Sequence, residues 1–342
     1  MPSKKAVVVG INYADTEAEL HGAVNDALCW SQVLKDYGFP EDNVWTMIDE
    51  YPSGELVDEK DEKYSIPTQD NILQALSWLT SDVSEGDSLA FVYCGQATQV
   101  QGFASSQPVE EALCPSDWDV FRWGIVPYRV ITDQDLHPYF AALPAGVMLS
   151  LILDAAFVRP PVQVPMRRSM EYPSHEQRRD TLPKDDIGEQ SAWLDNQHVN
   201  ALPRRLPYAI PRSLWAWSRS LLPPLPHLQK PLDEGLVVFC ITACGWGQSG
   251  LEAYLDGMQQ GVLTFCLLQA LKNKHRDHIL DWMQAASEVA AKLRGQVMPA
   301  MNQFFEIAYG RHLGPDEGQI FDSRCALVAK ERAKRRRGQA SK

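Results

Sequence analysis

The sequence predicts an α/β layered fold with a mostly parallel central sheet flanked by helices. Three observations carry that prediction. Short apolar runs rich in β-branched residues recur along the chain, helical apolar spacing fills the gaps between them, and the runs are apolar throughout instead of alternating with polar residues. Strands of that kind are buried on both faces by crossover helices. Hydrophobic residues make up 45% and charged residues 22%, a balance that suits a globular chain and is too apolar for general disorder. No run of about 18 apolar residues occurs, which excludes a membrane-spanning helix.

The elements follow in order. Ala6–Asn12 is the first strand, and AVNDALCWSQVLKDYG is a helix with apolar positions at Val24, Ala27, Leu28, Val33 and Leu34 and a stop at Gly38. Asn43–Asp49 is a second strand, followed by the charged, loop-like Tyr51–Ser65. Thr68 is the cap of a helix over NILQALSWLTSDV. Ser88–Cys94 is a third strand, and Val147–Phe157 is the fourth and most hydrophobic. Asp154 stands at the end of that fourth strand, where open α/β sheets place their functional groups. His137, beside Pro138, reads as a surface histidine.

Composition changes after residue 157. Twelve of the 23 prolines fall within 158–232, together with the basic pairs Arg167-Arg168, Arg178-Arg179 and Arg204-Arg205. Proline removes an amide donor and breaks regular structure, so 158–234 is expected to be an insertion or linker partly extended over the surface. Order resumes with a strand over Gly235–Cys244, helices over Gly261–Lys274 and His278–Gly295, and a closing strand in NQFFEIAYG. The regions are therefore 1–157, 158–234, 235–312 and a basic tail over 313–342.

Several motifs carry less than they suggest. Gly245-Trp-Gly247-Gln-Ser-Gly250 fits GxGxxG, but Asp256-Gly257 interrupts the helix that a dinucleotide site requires, and no acid follows at the right spacing. His275 and His278 lack the spacing and the glutamate of a zinc helix. The seven cysteines are odd in number and scattered, so reduced, mostly buried thiols are expected. The N-terminus lacks a small-residue cleavage site, so no signal peptide is expected. The formal charge is −12, yet Lys330, Arg332, Lys334, Arg335, Arg336 and Arg337 form a basic block near the end. This Lys330 to Arg337 block suits a nuclear address or a phosphate-binding arm, the one place where nucleic acid would be met. The expected location is cytoplasmic, with a nuclear alternative.

Eight segments in order resemble the metacaspases, the caspase-like cysteine peptidases of plants, fungi and protists. They are AVVVGINY, LHGAVNDA, DSLAFVYCGQATQ, ALCPSDW, VITDQDLH, LPAGVMLSLILDAAF, VVFCITACGWGQSGLEA and GVLTFCLLQAL. The resemblance covers about 4–157 and 235–309. It implies a caspase-like fold, with 1–157 as a large-subunit region and 235–312 as a small-subunit region. In the family a cysteine attacks the peptide carbonyl and a histidine exchanges the proton. The histidine segment, like YSGHG, is here Tyr93-Cys-Gly-Gln-Ala97, and the cysteine segment, like DSCHSG, is Asp154-Ala-Ala-Phe-Val158. Gln96 and Ala156 therefore occupy the two catalytic positions. An amide takes no proton near neutral pH and a methyl group attacks nothing.

The resemblance implies that Asp26 and Asp154 face a basic side chain in one shared pocket, with Cys94 beside it. Asp133 and Asp135 match part of the acidic calcium segment of some members, with Gln134 between them and Gln107 where a further acid would be expected. A hard cation is poorly served there, and no cofactor is expected. The reading is a non-catalytic pseudopeptidase, not an enzyme, acting on a protein or peptide: it binds basic peptides or pairs with an active metacaspase. One alternative is an active Arg/Lys-directed cysteine endopeptidase with Cys94 as a relocated nucleophile. Another is a structural subunit of a larger assembly.

Overall fold

The computed structural model describes residues 2–101, 109–118, 129–156, 166–168, 201–204, 235–244, 248–272, 279–296, 305–310 and 321–322. The basic block Lys330 to Arg337, Gln107, Gly245, Gly247, His275 and His278 lie outside these residues, as does most of 158–234.

The strands are β1 (Lys4–Gly10), β2 (Val44–Ile48), β3 (Ser88–Cys94), β4 (Ala97–Gln101), β5 (Val109–Leu113), β6 (Ile131–Thr132), β7 (Met148–Asp154), β8 (Met166–Arg168), β9 (Leu202–Pro203), β10 (Val237–Thr242), β11 (Leu251–Leu255), β12 (Met258–Gly261) and β13 (Glu306–Gly310). The α-helices are α1 (Ala23–Asp36), α2 (Gln69–Thr80), α3 (Asp133–Ala141), α4 (Val262–Lys272) and α5 (Ile279–Gln296).

Among the described residues the main sheet runs β2-β1-β3-β7-β10-β13-β8. Its first five strands are parallel, and β13 and β8 add antiparallel. The continuous apolar runs explain the parallel part: every residue of β3, β7 and β10 is buried. This is the expected α/β sheet, and its register brings Gly10, Cys94 and Asp154 side by side at the carboxyl ends of β1, β3 and β7.

Helix α1 lies close on β1 because Gly10 has no side chain. A Cβ there would stand 2.5 Å from the Ala23 carbonyl oxygen and 2.6 Å from the Ala27 Cβ. Trp30 of α1 then meets Trp282 of α5 edge-on at 6.2 Å and donates from its indole to Thr264 of α4. Helix α2 starts at Thr68 as expected, with the hydroxyl accepting from the Asn71 amide.

Two small antiparallel sheets were not foreseen. The order β4-β5-β6 forms one, and β12-β11-β9 forms the other. The β11–β12 hairpin turns through Asp256 and Gly257, both at positive φ, the backbone a two-residue Asp-Gly turn demands. Helix α3 corrects the reading of His137, which is buried within the helix and not on the surface. A capping box holds its start: Thr132 and Asp135 exchange side-chain and backbone bonds. Among the described residues the cysteines form no disulfide.

Replacing Gly10 by Ala forces helix α1 away from β1. The urea midpoint is expected to fall by the equivalent of about 1–3 kcal/mol, the usual penalty of overpacking. An unchanged midpoint would show that the helix yields without loss.

Candidate functional site

The site lies beyond the carboxyl ends of β1, β3 and β7. Asp26 is in the first turn of α1, and Asp154 ends β7; both are fully buried. The β11–β12 hairpin brings a third acid, Glu252, which sequence reasoning missed.

These acids surround a guanidinium from the same chain. Arg204 is fully buried. Its Nη2 donates to Asp26 Oδ2 at 2.5 Å and to Glu252 Oε2 at 3.2 Å. Its Nη1 donates to the Asp154 backbone oxygen at 3.1 Å and lies 3.3 Å from Asp154 Oδ1 as an ion pair. Asp26 and Asp154 therefore share one pocket, and it is filled. Arg204 is therefore not part of a linker running over the surface, as the proline content of 158–234 predicts, but is buried among the acids. Gly261 makes the close approach feasible, because a Cβ on it would collide with the Asp154 carboxylate and with Arg204 Nη1.

Each acid also serves a helix start. Asp26 accepts from the Gly261 amide and Asp154 Oδ2 from the Thr264 amide, both at the N-terminus of α4. Glu252 accepts from the His21 and Gly22 amides at the N-terminus of α1. Those amides have no partner within their own helices, and negative charge is favourable there. Even so, three carboxylates face one guanidinium. Burial holds the Asp26 carboxyl well above the usual carboxylate range, against the pull of Arg204, with Asp154 adding to the push.

The backbone around Arg204 is held as an extended strand. β9 pairs antiparallel with β11, and the Arg204 amide donates to the Gly250 oxygen at 2.8 Å. The Arg204 carbonyl oxygen receives two donors: the Ala156 amide at 3.1 Å and the Ala97 amide at 3.3 Å. Two converging backbone N–H groups are the arrangement that stabilises negative charge developing on a carbonyl oxygen. Here the carbonyl belongs to the chain itself, and Ala156, whose amide touches it, offers only a methyl group.

Gln96 lies in the turn after β3 and is buried. Its Nε2 donates to the Ala18 oxygen at 3.1 Å and the Pro203 oxygen at 3.4 Å. Cys94 is fully buried in the pocket wall. Burial, then the charges of Asp26 and Asp154, push its thiol well above the ordinary range. A thiol held in its protonated form is a poor nucleophile.

A tyrosine pair supports the turn. The Tyr13 and Tyr93 hydroxyls lie 3.0 Å apart; Tyr13 donates to the Cys114 oxygen, and the one Tyr93 proton is shared between the Cys114 and Gln96 oxygens at 2.8 and 2.9 Å. Tyr13 also accepts from the Gln96 amide at 2.9 Å. Asp49 fixes the Tyr13 loop by accepting from the Asn12 and Tyr13 amides at 2.9 and 2.7 Å. Burial raises the Asp49 carboxyl to about 6, against those two bonds.

The calcium candidates do not assemble. Asp135 is engaged by the capping box, and Gln134 Nε2 donates to Glu110 Oε1. Among the described residues no group of three or more His, Cys, Asp or Glu is placed to hold a metal ion.

Residues 4–165 match the metacaspase, peptidase C14 domain family. The chain is 30% identical over 177 residues to metacaspase-1 of Arabidopsis thaliana, covering 49% of this chain and 44% of that protein. Over 157 residues it is 32% identical to Arabidopsis metacaspase-4, covering 45% and 33%. Over 152 residues it is 30% identical to metacaspase-5 of Trypanosoma brucei brucei, covering 44% and 28%. The matched stretch thus spans less than half the length of these relatives. The crystal structure of protein GSU0716 from Geobacter sulfurreducens aligns with a TM-score of 0.57 at 16% identity, covering 94% of this chain and 99% of that one. That likeness concerns the fold alone.

Two outcomes follow from the pocket and its supports. Arg204→Met leaves buried acids without their cation and is expected to lower unfolding free energy by about 3–5 kcal/mol at pH 8. The deficit shrinks toward pH 5, because Asp26, whose carboxyl burial raises to about 8, can then take up a proton. Chemical denaturation at the two pH values measures both. Asp49, with its folded value raised, contributes stability that is complete below about pH 4 and lost as pH rises through about 6. Asp49→Asn is therefore expected to flatten the stability profile between pH 4 and 7.

Proposed function

We propose that this metacaspase-like, caspase-domain protein is a non-catalytic pseudopeptidase whose groove holds, uncut, an arginyl segment of its own chain. The observation that carries the reading is the Arg204 carbonyl. It sits between the Ala156 and Ala97 amides, with its side chain in a three-acid pocket. A strand laid on a sheet edge, with a side chain anchored in a pocket, is a recurring mode of peptide recognition. The segment is bound as a substrate would be, but the adjacent groups are a methyl and an amide. Neither can attack the carbonyl nor move a proton.

A basic peptide from elsewhere would have to displace Arg204 before reaching Asp26 and Asp154. Regulation of basic peptides or of an active relative would thus work through release of the 201–204 segment. The alternative of a relocated nucleophile is disfavoured by Cys94, whose thiol is buried and held protonated.

The full chain is expected to give no turnover of Arg- or Lys-ended fluorogenic peptides, with or without calcium, and to keep its intact mass on long incubation. Turnover that disappears in Cys94→Ser would overturn this reading. Gln96→His combined with Ala156→Cys places a thiol and an imidazole beside a carbonyl already in position. The thiolate would add to the Arg204 carbonyl carbon, the imidazolium would give its proton to the departing Arg205 amine, and water would then hydrolyse the resulting thioester to the Arg204 carboxylate and the free thiol. Cleavage between Arg204 and Arg205, read by intact mass, is the expected gain.

A further inference from the structure

We propose that Gln96 is a positioning residue that retains the 201–204 segment, so that the replaced general base has become a clamp for an uncut strand. This rests on the reading of the groove as self-occupied and assigns the residue that sets how firmly it is occupied.

The geometry of one nitrogen carries the inference. Gln96 Nε2 has two hydrogens and faces two carbonyls: Ala18 of the fixed loop before α1, and Pro203 of the bound segment. Pro203 immediately precedes the arginine in the pocket. A primary amide can bridge both carbonyls, whereas a neutral imidazole has a single N–H and a carboxylate has none. The backbone of Gln96 is itself immobilised. Its amide donates to the Tyr13 hydroxyl, and its carbonyl accepts from the Tyr93 hydroxyl at 2.9 Å and the Cys114 amide at 3.2 Å. The side chain is thus held on a rigid support, only 4% of the residue is exposed, and it is aimed at the segment. Its Oε1 has no hydrogen-bond partner among the described residues, so the burial of this amide is compensated on the donor side.

Trypsin reports the occupancy directly, because the Arg204 side chain and carbonyl are unavailable until the segment leaves the groove. When opening is fast relative to cleavage, the cutting rate follows the population of the open form. The experiment uses the full chain carrying Arg205→Gln, so that Arg204 is the cleavage site in this stretch. Gln96→Leu removes both donors at similar volume, and Gln96→Glu replaces them with a carboxylate facing two carbonyls. Each is expected to speed cleavage after Arg204 by about three- to tenfold, the factor that one net hydrogen bond is worth. Cleavage at other Arg and Lys residues should keep its parent rate. Gly10→Ala is the contrast, a packing defect that should raise cutting at many sites together.

Selective acceleration after Arg204 supports the clamp. An unchanged rate in both Gln96 variants overturns it, and parallel acceleration at all sites overturns it in favour of a general packing role. If the parent is cut after Arg204 as fast as the urea-unfolded chain, the segment does not occupy the groove, and the clamp and the pseudopeptidase reading fall together. Cutting after Arg204 without trypsin would overturn the pseudopeptidase reading through its chemistry, an outcome separate from either Gln96 result.

Discussion

The constraint on which the rest of the structure depends is a buried surplus of negative charge at the end of the sheet. Asp26, Asp154 and Glu252 come from α1, β7 and β11, and a single guanidinium, that of Arg204, is shared among them. Charges withdrawn from water are costly unless paired and hydrogen-bonded. Each acid therefore also accepts from amides at a helix start, Asp26 and Asp154 at α4 and Glu252 at α1. The pocket is at once a recognition site for a basic side chain and the junction that fixes α1, α4 and the β11–β12 hairpin to the sheet.

That double duty ties the three acids to the fold as well as to the cation they hold. The Gln96 side chain bonds the Ala18 and Pro203 oxygens and holds neither the Arg204 guanidinium nor the helix-start amides. Removing Asp26 or Asp154 would strip helix amides and a guanidinium of their partners, a far larger disturbance. The groove around Ala156 accordingly retains two converging amides, an antiparallel strand edge and an acidic pocket, all filled by Leu202, Pro203 and Arg204.

Most of the sheet and its helices could be read from local pattern. The runs ending at Gly10, Cys94 and Asp154 are apolar throughout, and burial between helices is what such runs require. Thr68 and Gly38 marked helix ends for stereochemical reasons that act within a few residues. Two further local signals were present and missed. Asp256-Gly257 between LEAYL and MQQG is a hairpin turn and not merely a break in a helix. Thr132-Asp-Gln-Asp135 is a capping box that would have placed His137 inside a helix.

What the sequence by itself determined is the α/β sheet, the position of Asp154 at a strand's carboxyl end, and the chemical character of Gln96 and Ala156. These depend on side-chain type, on continuous apolar runs and on a helical period of about 3.6, which a single segment displays. What only the tertiary structure decided is the occupant of the pocket. Arg204 lies 178 residues from Asp26, within a Pro-rich stretch whose other basic pairs look the same in sequence. Nothing in its neighbours distinguishes it, because the property that matters is a meeting of charges from four separate segments, and such a meeting is settled by packing in three dimensions.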